Sequence, residues 1–448
     1  MQNFKTWLLI FIATIVAYGT SLRYGFSQDD WYFLLISRAN NFGDVLNFFN
    51  PASQFGFAFF RPLGTQLYYY LFQDKSVAMH AFMLLVQSFN GFLVMRLVAR
   101  LKVKSPVPLM VGILYAISSV HFLSLYYIAA TQQLLATFFA LLSLNSFLAI
   151  GHWPSAIYFL LALLSKETAI VVPGVAFILL LVNKLKPTFK QFAPYLLASA
   201  LYLIMRLATS STVQSEYYFS FDPSVLTNIR WYALFGANFP EQLVSYGLPR
   251  MGINFTQFIT DFGTSTWIIV ISSSLIALFA IIRLIQTRRW LYALWFVIAL
   301  GPVILLRDHL YPHYLDLALI PFLLLLTQDL KLKTQYLVFA FYALTAVFSI
   351  QFSQAHHWTT GRAVMAERAL SGLDWREICT HDSIIFAGED RQPLELSYTL
   401  SLENGPRVIC NKPTLQVYYL TAEALAKEVG EHTILKEVFI VPIEGIFK

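Results

Sequence analysis

Long apolar stretches separated by short polar ones set the pattern of this chain. Runs near the length that crosses a hydrocarbon core, about 20 residues, fall at positions 6–22, 77–98, 107–125, 128–150, 155–164 and 168–182. Further runs follow at 192–208, 263–282, 291–306, 311–327 and 335–352. The pattern predicts an all-α polytopic membrane protein of about 11 spans, with the fifth run the shortest. The first run has only Lys5 before it and no small-residue cleavage site after it, so a retained signal anchor is expected.

The basic residues orient these spans. Lys5, then Arg96, Arg100, Lys102 and Lys104, then Lys184, Lys186 and Lys190, then Arg283, Arg288 and Arg289, and finally Lys331 and Lys333 fall on one side of the alternation. By the positive-inside rule that side is cytoplasmic. The other side receives Asp29-Asp30, Arg61, Ser165-Lys166-Glu167, a long loop over 210–262, Arg307-Asp308-His309 and everything after Phe352.

Two regions depart from the spanning pattern. The first outer loop, 23–76, is rich in aromatics such as Phe48, Phe49, Phe55, Phe57, Phe59 and Phe60, which predicts short helices resting on the outer leaflet or flanking belt residues. The chain therefore divides into a transmembrane module, 1–353, and a small extracytoplasmic mixed α/β domain, 354–448. In the latter, 383–386, 394–402, 407–409 and 438–442 read as strands and 421–429 as a helix. Both cysteines, Cys379 and Cys410, lie there; a disulfide in an oxidising exterior and a pair of buried thiols are the two readings.

Composition sharpens the class. With 57% hydrophobic and 12% charged residues and a mean hydropathy of +0.59, the apolar content exceeds what one soluble core could bury. The formal net charge is +6, yet the basic residues sit between apolar runs and no nucleic-acid motif accompanies them, so no nucleic-acid partner is expected.

Adjacent carboxylates where a membrane helix ends are expensive to bury and rarely needed for folding, which makes Asp29 and Asp30 a candidate site. An Asp-Asp pair after the first span, followed by Phe60-Arg61-Pro62-Leu63, Met79-His80, Val120-His121 and Leu164-Ser165-Lys166-Glu167 in that order, resembles the polyprenyl-phosphate-sugar-dependent glycosyltransferases of the GT-C superfamily. The closest resemblance is to the transmembrane O-mannosyltransferases that act on cadherins and their prokaryotic relatives. It covers roughly residues 1–190, with a looser match over 307–315. Where those proteins read His-Pro-aliphatic-His-Thr-Glu, this chain has Ser118-Ser119-Val120-His121-Phe122-Leu123, without the acidic residue. It also lacks their animal members' tetratricopeptide repeats. Acceptor recognition is therefore not carried over, and the sugar stays open.

The resemblance implies an inverting hexosyltransferase, with mannose one candidate sugar, acting on an extracytoplasmic protein, glycan or lipid hydroxyl. The implied setting is a prokaryotic plasma membrane with the site facing outward, or the endoplasmic reticulum membrane of a eukaryote. Such transfer needs a base, cations for the developing phosphate charge and access from the bilayer. Asp29 or Asp30 supplies the base, with a pKa raised by desolvation and like-charge repulsion, and with Asp30 slightly preferred. The alternative is a divalent cation held by the pair, although the resemblance implies no catalytic metal. Arg61 and Lys166 are assigned to the donor phosphate, against interfacial snorkelling.

Glu167 is read as a partner of Lys166. His80, His121, Arg307 and His309 join the pocket, although His80 and His121 taken singly read as helix-packing hydrogen-bonders. Pro312 argues against His309 and His313 presenting a metal site from one helix, and His356-His357 are assigned to a linker without a role. The competing functions are a lipid-linked-sugar transporter or flippase and a catalytically silent scaffold.

Overall fold

A computed structural model of the protein describes residues 2–53, 59–149, 151–209, 219–246, 260–306, 309–430 and 438–446. The first span is α1 (Gln2–Tyr18), prolonged by a 3-10 turn, Gly19–Arg23. Short helices α2 (Asp29–Ile36), α3 (Phe42–Asn47) and α4 (Tyr68–Phe72) occupy the first loop, with a single π-helical turn at Leu63–Leu67. Next come α5 (Ser76–Arg100), α6 (Val107–Ile117), α7 (Phe122–Tyr126), α8 (Thr131–Ala149), α9 (His152–Ser165), α10 (Val172–Val182) and α11 (Phe189–Leu207). The bundle is completed by α12 (Ser224–Gly236), α13 (Thr266–Thr287), α14 (Trp290–Leu300), α15 (Leu319–Thr327) and α16 (Leu332–His356).

Among the described residues six segments are long and apolar enough to cross a membrane: Asn3–Arg23, Ser76–Arg100, Val107–Tyr126, Ile128–Ala149, Thr266–Thr287 and Leu332–His356. Eleven uninterrupted spans are therefore not formed, and because Gln354 at the end of α16 lies 3.3 Å from the Tyr24 hydroxyl just past the first span, shorter or broken helices must add an odd number of crossings to these six. The apolar runs are present, but several are broken: α9 has 14 residues and α10 has 11. At 1.5 Å per residue these reach only about 21 and 17 Å, short of a core about 30 Å thick. Pro173 in the first turn of α10, Pro302 after α14 and Pro312 before α15 mark the breaks. Gly301, at φ +49°, turns the chain after α14 where a Cβ would lie 2.4 Å from the Val171 side chain. Helix α11 is long enough, but Lys190, Gln191 and Arg206 dilute its hydropathy.

Apolar faces turn outward along these helices: Val16 on α1 is 80% exposed, and Ile268, Ile271 and Leu275 on α13 are likewise uncovered. Faces of this extent on a helical bundle call for lipid as the covering solvent.

Beyond α16, helix α17 (Trp358–Gly372) and α18 (Trp375–Ile378) lead into β1 (Ser383–Gly388), α19 (Gln392–Thr399), α20 (Asn404–Ile409), β2 (Gln416–Thr421), α21 (Ala422–Gly430) and β3 (Phe439–Pro442). The sheet is parallel in the order β2-β1-β3, with Ile385 opposite both Tyr418 and Ile440. Two expected strands are helices. In 394–402, Leu396 and Leu400 are both buried, and that four-residue spacing is one helical face, opened by Pro393 in the first turn. Residues 407–409 continue α20, whose first turn contains Pro406. Strand β2 was not expected; its Val417, Tyr418 and Tyr419 are β-formers with one face half-covered. Cys379 and Cys410 are joined as a disulfide.

The α/β domain shares a core with the span ends, since Trp31, Tyr69 and Tyr126 belong to the same apolar cluster as Ile384, Phe386 and Leu396. Its carbonyl at Thr399 accepts hydrogen bonds from the Gln28 backbone N–H at 2.7 Å and from Trp31 Nε1 at 3.2 Å. The Asp29-Asp30 segment is therefore fastened from both sides.

Candidate active site

A cavity of about 420 Å³ lies where the span ends meet the α/β domain. Asp29, Arg61, Lys166 and His309 all line it, brought from four separate stretches of chain. Trp358, the first residue of α17, closes it from the side of the α/β domain.

The two carboxylates part company. Asp30 is buried and does not line the cavity: its Oδ2 accepts the Ser27 backbone N–H at 2.8 Å and its Oδ1 accepts the Tyr69 hydroxyl at 2.6 Å. Burial pushes its carboxyl up to about 7, against the pull of those hydrogen bonds. Asp29 faces the cavity with its surface open. The dense protein around it raises its pKa through desolvation, and a hydrogen bond with Tyr127 offsets part of that rise. The Asp29 backbone N–H also donates to the Tyr127 hydroxyl at 3.0 Å. Of the two, Asp29 is the one whose side chain lines the cavity, whereas Asp30, slightly preferred as base from the sequence, is enclosed. One carboxylate thus lines the cavity, and the other is enclosed with both oxygens hydrogen-bonded. Among the described residues no group of three or more His, Cys, Asp or Glu side chains is placed to hold a metal.

Gln28, immediately before the pair, sits at φ +54°, ψ −125°, a region that costs a side-chain-bearing residue about 1–3 kcal/mol. Arg362 on α17 donates to its Oε1 at 2.7 Å, so the α/β domain holds this turn from the side chain as well as the backbone.

Arg61 is buried. Its Nε donates to Glu167 Oε2 at 2.6 Å, a second guanidinium nitrogen pairs with Glu167 Oε1, and a third donates to Gln132 Oε1 at 2.6 Å. Glu167 therefore partners Arg61 and not Lys166, because the planar fork matches both carboxylate oxygens at once. Gly64 makes this approach feasible: a Cβ there would lie 2.6 Å from both Gln132 Cβ and the Ser165 carbonyl oxygen.

Lys166 occupies the break between α9 and α10, in extended conformation at φ −162°. Its Nζ lies 3.4 Å from His313 Nε2 and 4.8 Å from the centre of the Tyr314 ring. Burial, aided by the Arg61 charge, lowers its pKa to about 7. His309 Nε2 is 2.9 Å from the Tyr314 hydroxyl. Burial, with the Lys166 and Arg61 charges, lowers its pKa to about 4, so it faces the cavity as neutral imidazole.

The other assignments scatter. His80 lies within α5, its Nδ1 3.0 Å from the Leu125 carbonyl, a packing contact away from the cavity. His121 Nδ1 is 3.1 Å from Asp316 Oδ1, again outside the cavity lining. Arg307 falls outside the described residues. His357 has a structural role after all: it is buried, its Nδ1 accepts the Thr359 N–H at 3.2 Å at the start of α17, and its Nε2 lies 3.5 Å from Glu241.

The sequence reading missed Tyr127, Gln132, Trp358 and Asp316. Asp316 accepts from Gln133 Nε2 at 2.9 Å and from Thr137, and a carboxylate inside an apolar run is itself a signal that could have found it. Trp358 carries no such signal, since only the fold brings it to Asp29. The chain matches no family model, no curated protein and no solved structure.

Proposed function

We propose that this protein is an integral membrane glycosyltransferase of GT-C-like architecture, moving a hexose from a polyprenyl-phosphate donor to an extracytoplasmic acceptor hydroxyl. The observation that carries the reading is one cavity at the span ends lined together by a solvent-open carboxylate, Asp29, and two cations, Arg61 and Lys166. An aromatic wall of Tyr32, Tyr127, Tyr311 and Trp358 offers faces for a sugar ring.

In the reaction, the acceptor oxygen attacks the anomeric carbon as Asp29 takes its proton. The bond from that carbon to the phosphate oxygen breaks, the configuration inverts, and polyprenyl phosphate leaves with one more negative charge. Lys166 meets that charge directly. Arg61, half-neutralised by Glu167, orients the phosphate more than it adds net charge. The setting is a prokaryotic plasma membrane with the site facing outward, or the luminal face of an endoplasmic reticulum membrane.

The test is to incubate the purified protein with a panel of polyprenyl-phosphate hexoses and a hydroxyl acceptor mixture and to assay release of free polyprenyl phosphate. Release that depends on Asp29 is expected. A transporter for lipid-linked sugars is the second reading, favoured by the buried lysine at a helix break. It takes precedence if labelled donor crosses a proteoliposome bilayer while no lipid phosphate is released.

A further inference from the structure

A second cavity, of about 360 Å³, lies on the other side of α17 and takes no part in the site above. Tyr24 lines it just past the end of the first span, and Gln354 and Ala355 line it at the end of α16. Two spans therefore emerge at one level beside it, the level of lipid headgroups. Its far wall is α17, through Thr360, Gly361, Val364, Met365 and Arg368.

Three features give this cavity a chemical preference. Arg368 is exposed, and its guanidinium has no hydrogen-bond or ion-pair partner among the described residues. The Tyr24 hydroxyl and the Gln354 amide, 3.3 Å apart, add neutral hydrogen-bonding groups opposite it. Val364, Met365 and Ile446 supply an apolar side. Gly361, in the first turn of α17, is the independent sign: glycine favours a helix less than alanine does, yet a Cβ here would meet nothing within 4 Å. Among the described residues no neighbour requires the glycine, and it leaves the helix backbone open to the cavity.

We infer that this cavity binds the phosphate headgroup of an anionic bilayer phospholipid, with Arg368 on the phosphate and the glyceryl region against Gly361 and Val364. A lipid held there ties the ends of α1 and α16 to α17, and through α17 to the α/β domain. The inference does not depend on the glycosyltransferase reading, since it uses none of the residues of that site.

The full-length protein in a non-ionic detergent provides the test, with the thermal midpoint followed on adding phosphatidylglycerol, phosphatidylcholine or inorganic phosphate. Phosphatidylglycerol in large excess should raise the wild-type midpoint by about 3–5 °C. The shift should fall below about 1 °C in Arg368→Glu, which reverses the charge, and in Gly361→Leu, which fills the space. Neither change removes a described contact, so both lipid-free midpoints should match or exceed the wild type. An undiminished shift in both variants overturns the site. An equal shift from phosphatidylcholine, or from inorganic phosphate alone, overturns the assignment to an anionic lipid.

Discussion

Arg61 and Glu167 face each other as a two-pronged ion pair across 106 positions of sequence. The pair is unequally covered, with side-chain exposures of 6% and 32%, so solvent reaches the carboxylate and screens part of the attraction. Glu167→Gln leaves the buried guanidinium without a counter-charge and should destabilise the protein by about 1–3 kcal/mol. It should also tighten binding of the anionic donor, because Arg61 then presents uncompensated charge to the cavity. Denaturation in detergent and donor titration on the same preparation check both directions; weaker donor binding would remove Arg61 from the phosphate.

The carboxylate assignments separate in another pair of variants. Asp29→Asn keeps the shape and removes proton acceptance, so turnover should fall by about 10²-fold or more while stability holds. Asp30→Asn should act on stability. With its folded pKa raised to about 7 from 3.8, Asp30 makes the native state bind more protons than the unfolded state between those values. Native stability therefore declines as pH rises through that window, and it levels off above about 7. The Asn variant should lose that component of the pH dependence. Stability curves from pH 4 to 8, with turnover measured at one pH, distinguish the two. A large turnover loss in Asp30→Asn without one in Asp29→Asn would reverse the assignment.

Much of this arrangement was legible in residue order, and the rest depended on packing. The apolar periodicity located the helices, and charges at helix boundaries drew attention to Asp29, Arg61, Lys166 and His309, which do line one cavity. Hydropathy could not count spans, because it registers a broken run such as 291–306 as it registers a continuous one; Gly301 and Pro302 decide that locally. Nor could it choose between Asp29 and Asp30, of which one lines the cavity and the other is enclosed. The partner of Glu167 was misjudged since adjacency favours Lys166, whereas Gly64 lets Arg61 reach it from far along the chain.

Gly64 offers a direct check on that packing. An alanine there places its Cβ 2.6 Å from Gln132 Cβ and from the Ser165 carbonyl, and neither backbone-anchored neighbour can swing away. Gly64→Ala should destabilise by about 1–3 kcal/mol as the π-helical turn backs off. It should lower donor affinity too, because Arg61 lies just before that turn and its carbonyl accepts the Thr65 N–H at 3.0 Å. A wild-type unfolding midpoint together with normal activity would mean that the close approach is dispensable.

Lys166 provides the pH signature of the cavity. In the proposed reaction its ammonium meets the donor phosphate, yet burial holds its pKa near 7 in the free protein, down from 10.5. Between those values the native state binds fewer protons than the unfolded chain, so Lys166 contributes stability that rises with pH across that window, opposite in sign to Asp30. Donor binding runs the other way: above about 7 the free protein must take up a proton to pair with the phosphate, and affinity should fall by up to about tenfold per pH unit. Lys166→Gln should bind more weakly and with a flat profile over the same range, and Lys166→Arg should bind with a flat profile at every pH because guanidinium does not deprotonate. Donor titrations at pH 6, 7, 8 and 9 for the three proteins measure this. A wild-type profile that stays flat while Lys166→Gln binds normally would take Lys166 off the phosphate and leave it as a buried structural amine beside His313.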